Sequence, residues 1–213
     1  MKLVNKWYLP DSETNYLEYF KNLKTDQYQE KQRQYSMKFL SNKRTALDIG
    51  ANIGFWARDI CRIFKKVELF EPHKLNIECL QKNLQDYKNF KIHEYSLSNF
   101  SGNGELYIDD NGLGNNTLSK DSGLTNKIIV KVKKLDDLDL NEIDFIKIDV
   151  QSHELEVIEG SVNTLKRNSP VLCIEAPKRT EKELSYLHEI KKILKNLKYK
   201  VVGRYAKELI FKK

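Results

Sequence analysis

An aspartate followed by two glycines four residues apart, Asp48-Ile49-Gly50-Ala51-Asn52-Ile53-Gly54, is the segment best suited to chemistry. It follows the short apolar run TALDI and precedes a helix-like stretch through Phe55, Ile60 and Phe64. Gly50 permits a tight turn and close approach of a ligand to the backbone, and Gly54 permits close packing where the helix opens. The helix N-terminus behind the turn favours a carboxylate, whereas Asp48 suits a cationic amine. The spacing is not the G-x-G-x-x-G that seats a pyrophosphate, and no Gly-Lys-Ser/Thr follows as a P-loop needs. The next strand, KVELF, ends in Glu71-Pro72. An acid there, about twenty residues on, is placed to accept both hydroxyls of a ribose. An ordinary glycine turn and a solvated strand-end glutamate are the bland readings; together, at this spacing, the two features point to a nucleoside.

Further polar clusters follow later apolar runs. One is Glu94-Tyr95-Ser96, where contacts to a base ring are expected, another runs from Lys147 through Asp149 to His153 and Glu154, and a third is Glu175. His153 has the pKa range of a general base, and a helix start disfavours its cation. Its bland counterpart is a polar residue at a helix start, and that of Glu154 a stabilising acid in a first turn. Asp149, Glu154 and Glu175 could form an oxygen-rich divalent site, but their spacing does not show that they converge, so no metal is assigned. The Gly/Asn-rich loop Asp109–Ser119, with Asn115 and Asn116, reads either as a substrate lid or as a solvated hairpin loop.

The elements that must hold these residues alternate. Strand-like TALDI, KVELF, FKIHEY, IDFIKIDV and PVLCIEA are separated by helix-like segments. HELEVIEGSVNTL carries Leu155, Ile158, Val162 and Leu165 on one face, and ELSYLHEIKKILKNL turns Leu184, Leu187, Ile190, Leu194 and Leu197 inward. SGNGELYI and KIIVKVKKL look like two inserted strands, and YKVVGRY with AKELIFK like a closing hairpin that adds an antiparallel strand. QEKQRQYSMKFL reads as an amphipathic helix near the start. The alternation predicts one doubly wound, Rossmann-like α/β domain with a parallel sheet covered on both faces and a small β insertion. Its expected extent is 44–213, after a helical N-terminal extension over 1–43.

The 213 residues, 40% of them hydrophobic, suffice for such a core. Residues 178–213 hold twelve basic and four acidic side chains, more than the whole net charge of +7. A nucleic-acid or surface-binding reading must therefore rest on that tail. Cys61, Cys79 and Cys173 sit among apolar residues and read as buried thiols, not disulfides or zinc ligands. Without a secretory signal or a run of eighteen apolar residues, the expected location is cytoplasmic, with no membrane span.

Asp48-x-Gly50-x-Asn52-x-Gly54 followed by Phe70-Glu71-Pro72 resembles class I S-adenosylmethionine-dependent methyltransferases. Phe145-Ile146-Lys147-Ile148-Asp149-Val150-Gln151-Ser152-His153-Glu154 with Gly160, and Ser96-Leu97-Ser98 before Gly104–Tyr107, are similar to the FkbM-type branch. The resemblance covers roughly residues 44–176. It implies a seven-stranded sheet ordered 3-2-1-4-5-7-6 and methyl transfer to an oxygen of a small molecule or saccharide, leaving S-adenosylhomocysteine. It also implies that Asp48, Gly50, Ala51, Asn52 and Gly54 hold the methionine part. Glu71 beside Pro72 would hold the ribose, Tyr95 and Ser96 would lie by the adenine, and Asp149 would face the methyl. Ser152 departs from the family's usual glycine, and Ser96 from its frequent alanine. If a base exists, His153 comes first, then Asp149 or Glu154; Asn115, Asn116, His153 and Glu175 are the expected acceptor contacts. A ribose methyltransferase acting on nucleic acid and a non-catalytic cofactor-binding module are the alternatives.

Overall fold

The computed structural model describes residues 1–14, 17, 21, 28–109, 112, 114–176 and 181–213, the side chains of 181–183 excepted. Its main sheet contains β3 (Thr45–Ile49), β4 (Lys66–Phe70), β5 (Phe90–His93), β9 (Ile143–Ile148), β10 (Val171–Glu175), β11 (Lys200–Tyr205) and β12 (Glu208–Lys212). Across the sheet they stand in the order β5-β4-β3-β9-β10-β12-β11. The first five pair in parallel, and β12 runs antiparallel between β10 and β11. The α/β architecture read from the alternation is thus present as a mixed sheet. Strand order switches between β3 and β9, with β4 and β5 added on one side and β10 on the other, so the loops after these two parallel strands part around a shared crevice.

Each central strand is buried on both faces, and alternate side chains supply two cores. Ala46, Phe145 and Cys173 meet α2 (Ala57–Ile63) and α3 (Lys74–Asn83) on one face. Leu47, Ile146 and Leu172 meet α4 (Glu154–Glu159), α5 (Val162–Asn168) and α6 (Glu181–Asn196) on the other. The three cysteines are buried and free. No helix among the described residues is long and apolar enough to cross a membrane.

Three sequence expectations need correction. Residues 1–43 are not helical throughout: β1 (Lys2–Val4) and β2 (Trp7–Leu9) form a hairpin, and only α1 (Glu30–Met37) matches the expected helix among the described residues. The hairpin forms because Trp7 and Leu9 enter the first core, where Trp7 meets Phe55 edge-on at 5.2 Å. The expected single helix over HELEVIEGSVNTL is two, α4 and α5. It breaks at Gly160, where a Cβ would stand 2.0 Å from the Ser98 carbonyl oxygen, and Asp136 Oδ1 and Oδ2 accept from the amides of Thr164 and Asn163 to start α5. In α6, Leu184 is 57% exposed rather than inward, while Ile190, Leu194 and Leu197 are buried as expected.

The insertion forms β6 (Ser96–Leu97), β7 (Gly102–Tyr107) and β8 (Lys127–Lys133), with β8 central in a three-stranded sheet. Thr117, midway along the loop that connects β7 to β8, bridges back to Tyr107.

Candidate active site

Cross-strand register creates the charged centre of the crevice. Asp48 on β3 lies opposite Lys147 on β9, and Lys147 Nζ lies 3.8 Å from Asp48 Oδ1 and 3.0 Å from Asp149 Oδ2. Lys147 is 4% exposed. Burial opposes its charge, but Asp149 and Asp48 outweigh that and hold its pKa above the usual lysine range. The Trp56 ring lies 5.2 Å from the same ammonium. Burial pushes the Asp48 carboxyl up to about 6, against the pull of Lys147. Its Oδ1 has no hydrogen-bond partner among the described residues, an arrangement buried oxygens rarely keep without a ligand.

The turn after β3 is tied to the neighbouring strand end. The amides of Gly50 and Ala51 both donate to the Phe70 carbonyl at 3.0 Å, and the Asn52 amide donates to Glu71 Oε2 at 2.9 Å. Gly50 has φ +84, and a Cβ there would stand 1.9 Å from the Asp149 carbonyl oxygen, so the turn abuts the end of β9. Gly54 serves packing instead, against Leu80 on α3. The amides of Ile53 and Gly54 donate to Asn52 Oδ1 and the Ala51 carbonyl. Every amide from Gly50 to Gly54 is therefore committed within the protein, and α2 begins only at Ala57. What the turn offers a ligand is carboxylate oxygen, which accepts, rather than free amides.

Glu71 makes the same offer. Its carboxylate also accepts from the His73 amide at 2.9 Å and from Asn76 Nδ2 at 3.3 Å. Burial pushes it up to about 7, with those donors pulling it down.

These residues line one cleft of about 1090 Å³, part of it open to solvent. Of the expected site residues, Asp48, Gly50, Ala51, Asn52, Glu71, Pro72, Ser96, Asn115, Asn116, Asp149, His153 and Glu175 line it. Tyr95 does not: its ring packs edge-on behind Phe70 at 5.9 Å, and its hydroxyl hydrogen-bonds His93 Nδ1 at 3.0 Å. Glu154 does not either. It is 2% exposed, and its Oε1 accepts from the Val150 amide at 3.1 Å, which braces the turn after β9. The three acids offered as a divalent site therefore do not gather, and no three His, Cys, Asp or Glu side chains converge as metal ligands among the described residues. His153 reaches the cleft with both nitrogens engaged. Nε2 lies 2.9 Å from Ser98 Oγ, Nδ1 lies 3.5 Å from Glu156 Oε2, and burial lowers its pKa.

The far end of the cleft collects groups that sequence reasoning did not join. Gln151 Nε2 donates to Asp149 Oδ1 at 2.7 Å and to Glu175 Oε2 at 3.1 Å. Gln151 and Ser152 both take left-handed backbone conformations (φ 54 and 69), which glycine adopts more readily than either. Lys207 reaches Glu175 Oε1 at 3.3 Å from the β11–β12 turn. β12 runs antiparallel beside β10 and so brings this turn of the basic tail to the cleft. Tyr28 and Gln29 close the near end, with Gln29 Oε1 accepting from Trp56 Nε1 at 2.7 Å. Thr117 Oγ1 donates to the Gln151 carbonyl at 2.6 Å, so this part of the insertion loop is pinned to the site.

Residues 48–201 match the Methyltransferase FkbM domain family. The hexuronic acid methyltransferase AglP of Haloferax volcanii is 30% identical over 146 residues, which are 65% of this chain and 60% of that protein. Among solved structures, methyltransferase FkbM from Methylobacillus flagellatus superposes with a TM-score of 0.60 at 19% identity, over 84% of this chain and 48% of that one. A Streptococcus mutans protein in complex with SAH gives 0.53 at 12% identity, over 84% of this chain and 92% of that one. The structural likenesses show the fold. The chain spans 60% of its curated relative.

Proposed function

The chain belongs to the FkbM methyltransferase-domain family, and on that premise we propose that it transfers a methyl group from S-adenosylmethionine to a hydroxyl oxygen of a saccharide. The observation that carries the donor assignment is the pair of buried acceptors at one turn. Asp48 Oδ1 has no hydrogen-bond partner among the described residues, and Glu71 is held to that turn by the Asn52 amide. The donor molecule presents an ammonium and two ribose hydroxyls, all hydrogen-bond donors, so its chemistry fits this lining. When bound, it supplies a methyl on a sulfonium whose sulfur leaves neutral.

The protein's own residues then divide the work. Asp48 accepts from the amine, while Gly50, Ala51 and Asn52 shape the wall against which the methionine part lies. Gly54 packs the turn onto α3. Glu71 accepts the ribose hydroxyls next to Pro72, and Ser96 borders the base, with Tyr95 acting through Phe70. Asp149 faces the reacting end, and Asn115, Asn116, His153 and Glu175 surround the acceptor. Ser98 and Glu156 fix the ring of His153, which suits it to positioning. Orientation can supply about 7–11 kcal/mol, against a base's typical ~10²–10⁴-fold, so holding the acceptor in line is the larger contribution. The relative named for hexuronic acid methylation supports a sugar acceptor, as does a far end built from carboxylates, amides and an ammonium. The sheet order supports the same fold assignment.

Titration calorimetry tests the reading. S-adenosylhomocysteine binds one to one, and Asp48→Ala or Glu71→Ala weakens it at least about tenfold, the value of a lost charged hydrogen bond. Folded wild-type protein that gives no heat with donor or product refutes it.

A further inference from the structure

The carboxylates at the ends of β9 and β10 outnumber the buried cations facing them. Lys147 is already divided between Asp48 and Asp149. Gln151 holds Asp149 and Glu175 around a single amide nitrogen. The second cation, Lys207, is 48% exposed along its side chain, so water screens much of its charge. Glu154 from α4 and Glu208 from β12 add further carboxyls nearby, and His153 is held near neutral by its burial. Two carboxylates brought this close cannot both ionise without cost, and one proton held between them relieves the repulsion. Burial and then Asp149 push Glu175 up to about 7. For Asp149 burial acts in the same sense, but Lys147 overcomes it and holds that carboxyl below the usual range.

We propose that Asp149 and Glu175 share one proton in the free protein and release it when a sulfonium donor occupies the cleft, making Glu175 the residue that distinguishes the charged donor from its neutral product. The inference rests on the donor assignment above. The sulfonium is the cation this end of the cleft lacks, and the turn that walls the donor abuts Asp149 through Gly50. Gln151 and Ser152 take left-handed conformations in succession, and the Gln151 amide so placed bridges the two carboxylates. The proton balance closes over one turnover. On donor binding the shared proton goes to solvent. In the transfer, the acceptor oxygen bonds to the methyl carbon and the carbon–sulfur bond breaks with its electron pair left on sulfur. The hydroxyl proton passes to the vacated Glu175 carboxylate. The pair is then protonated again beside a neutral thioether, which it no longer attracts.

The test is calorimetry of S-adenosylmethionine and S-adenosylhomocysteine in buffers of different ionisation enthalpy between pH 6 and 8. Asp48 and Glu71 meet the same groups in both ligands, so their proton exchange cancels in the difference. At the acid end the donor should release about one proton more than the product, with the excess fading toward pH 8. The preference for donor over product should rise up to about tenfold per pH unit over the acid half of that range. Glu175→Gln should abolish both effects while still binding the product, which shows that it folds. Equal proton release for the two ligands in wild-type protein overturns the inference and leaves the donor assignment standing, as does a difference that survives Glu175→Gln. If neither ligand binds, both fail together.

Discussion

Gly50→Ala isolates the close approach on which the cleft depends. Gly50 has φ +84, so any side chain costs about 1–2 kcal/mol from backbone conformation alone. The added Cβ would also stand 1.9 Å from the Asp149 carbonyl oxygen. That contact is backbone on both sides, so the loops after β3 and β9 must part by about 1 Å or more to restore van der Waals separation. Relieving such an overlap adds about 1–3 kcal/mol. Together these lower Tm by about 5–15 °C for a chain of this size. A displacement of about 1 Å at the reacting groups costs about 10²-fold in rate, and affinity for S-adenosylhomocysteine, which lies against the same turn, should fall as well. Gly123→Ala is the matched control: φ there is +75, but nothing lies within 4 Å of its Cβ. It should cost about 2–6 °C and leave ligand affinity unchanged. Differential scanning calorimetry and ligand titration on both variants decide the matter. If Gly50→Ala behaves like Gly123→Ala in both assays, the abutment of the two loops is not what shapes the cleft.

Other expectations concern the scaffold. Asn83 on α3 accepts from the Tyr8 amide and donates to the carbonyls of Tyr8 and Ile53, tying the N-terminal hairpin to the turn after β3. Asn83→Ala should cost about 2–3 kcal/mol in denaturant unfolding, since it strands buried backbone groups. Asp144 is held below the usual carboxylate range by Arg44, which overcomes the effect of its burial. Its stabilisation is fully present above the ordinary aspartate pKa and is lost as pH falls from there through the lower folded-state value. Asp144→Asn should therefore cost about 1 kcal/mol at pH 7, reduced by the exposure of Arg44, and match wild type only once pH has fallen below the depressed folded-state pKa. Glu154, pushed up to about 8 by burial, takes up a proton on folding. Wild-type stability should decline as pH rises from the ordinary glutamate range through about 8, and urea melts of Glu154→Gln should show a flatter profile.

Much of the site was legible because its residues follow strands in sequence. Asp48, Gly50 and Glu71 occupy positions where the α/β plan allows few roles, and the alternation of apolar runs located those positions. Side-chain direction was not legible. Tyr95 and Glu154 have the right types at the right places, yet hydrogen bonds to His93 and to the Val150 amide turn them away from the cleft. Lys147 was read as the start of a polar cluster after an apolar run and given no role, although a lysine inside a central strand was itself a signal that a buried carboxylate faces it. Lys207 depended on strand order: only the insertion of β12 beside β10 carries the basic tail to Glu175. The hairpin of residues 2–9 escaped because two three-residue strands leave too short a pattern to read, and their stability comes from Trp7 and Leu9 in a distant core.

The central claim is that the cleft beneath Gly50 and Glu71 is a donor site, and a crystal structure with S-adenosylhomocysteine tests it most directly. The account predicts ribose hydroxyls within hydrogen-bond distance of the Glu71 carboxylate, the amine on Asp48 Oδ1, and the sulfur toward Asp149 and Glu175. A ligand bound elsewhere, or one in the cleft with neither Asp48 nor Glu71 in contact, would contradict it.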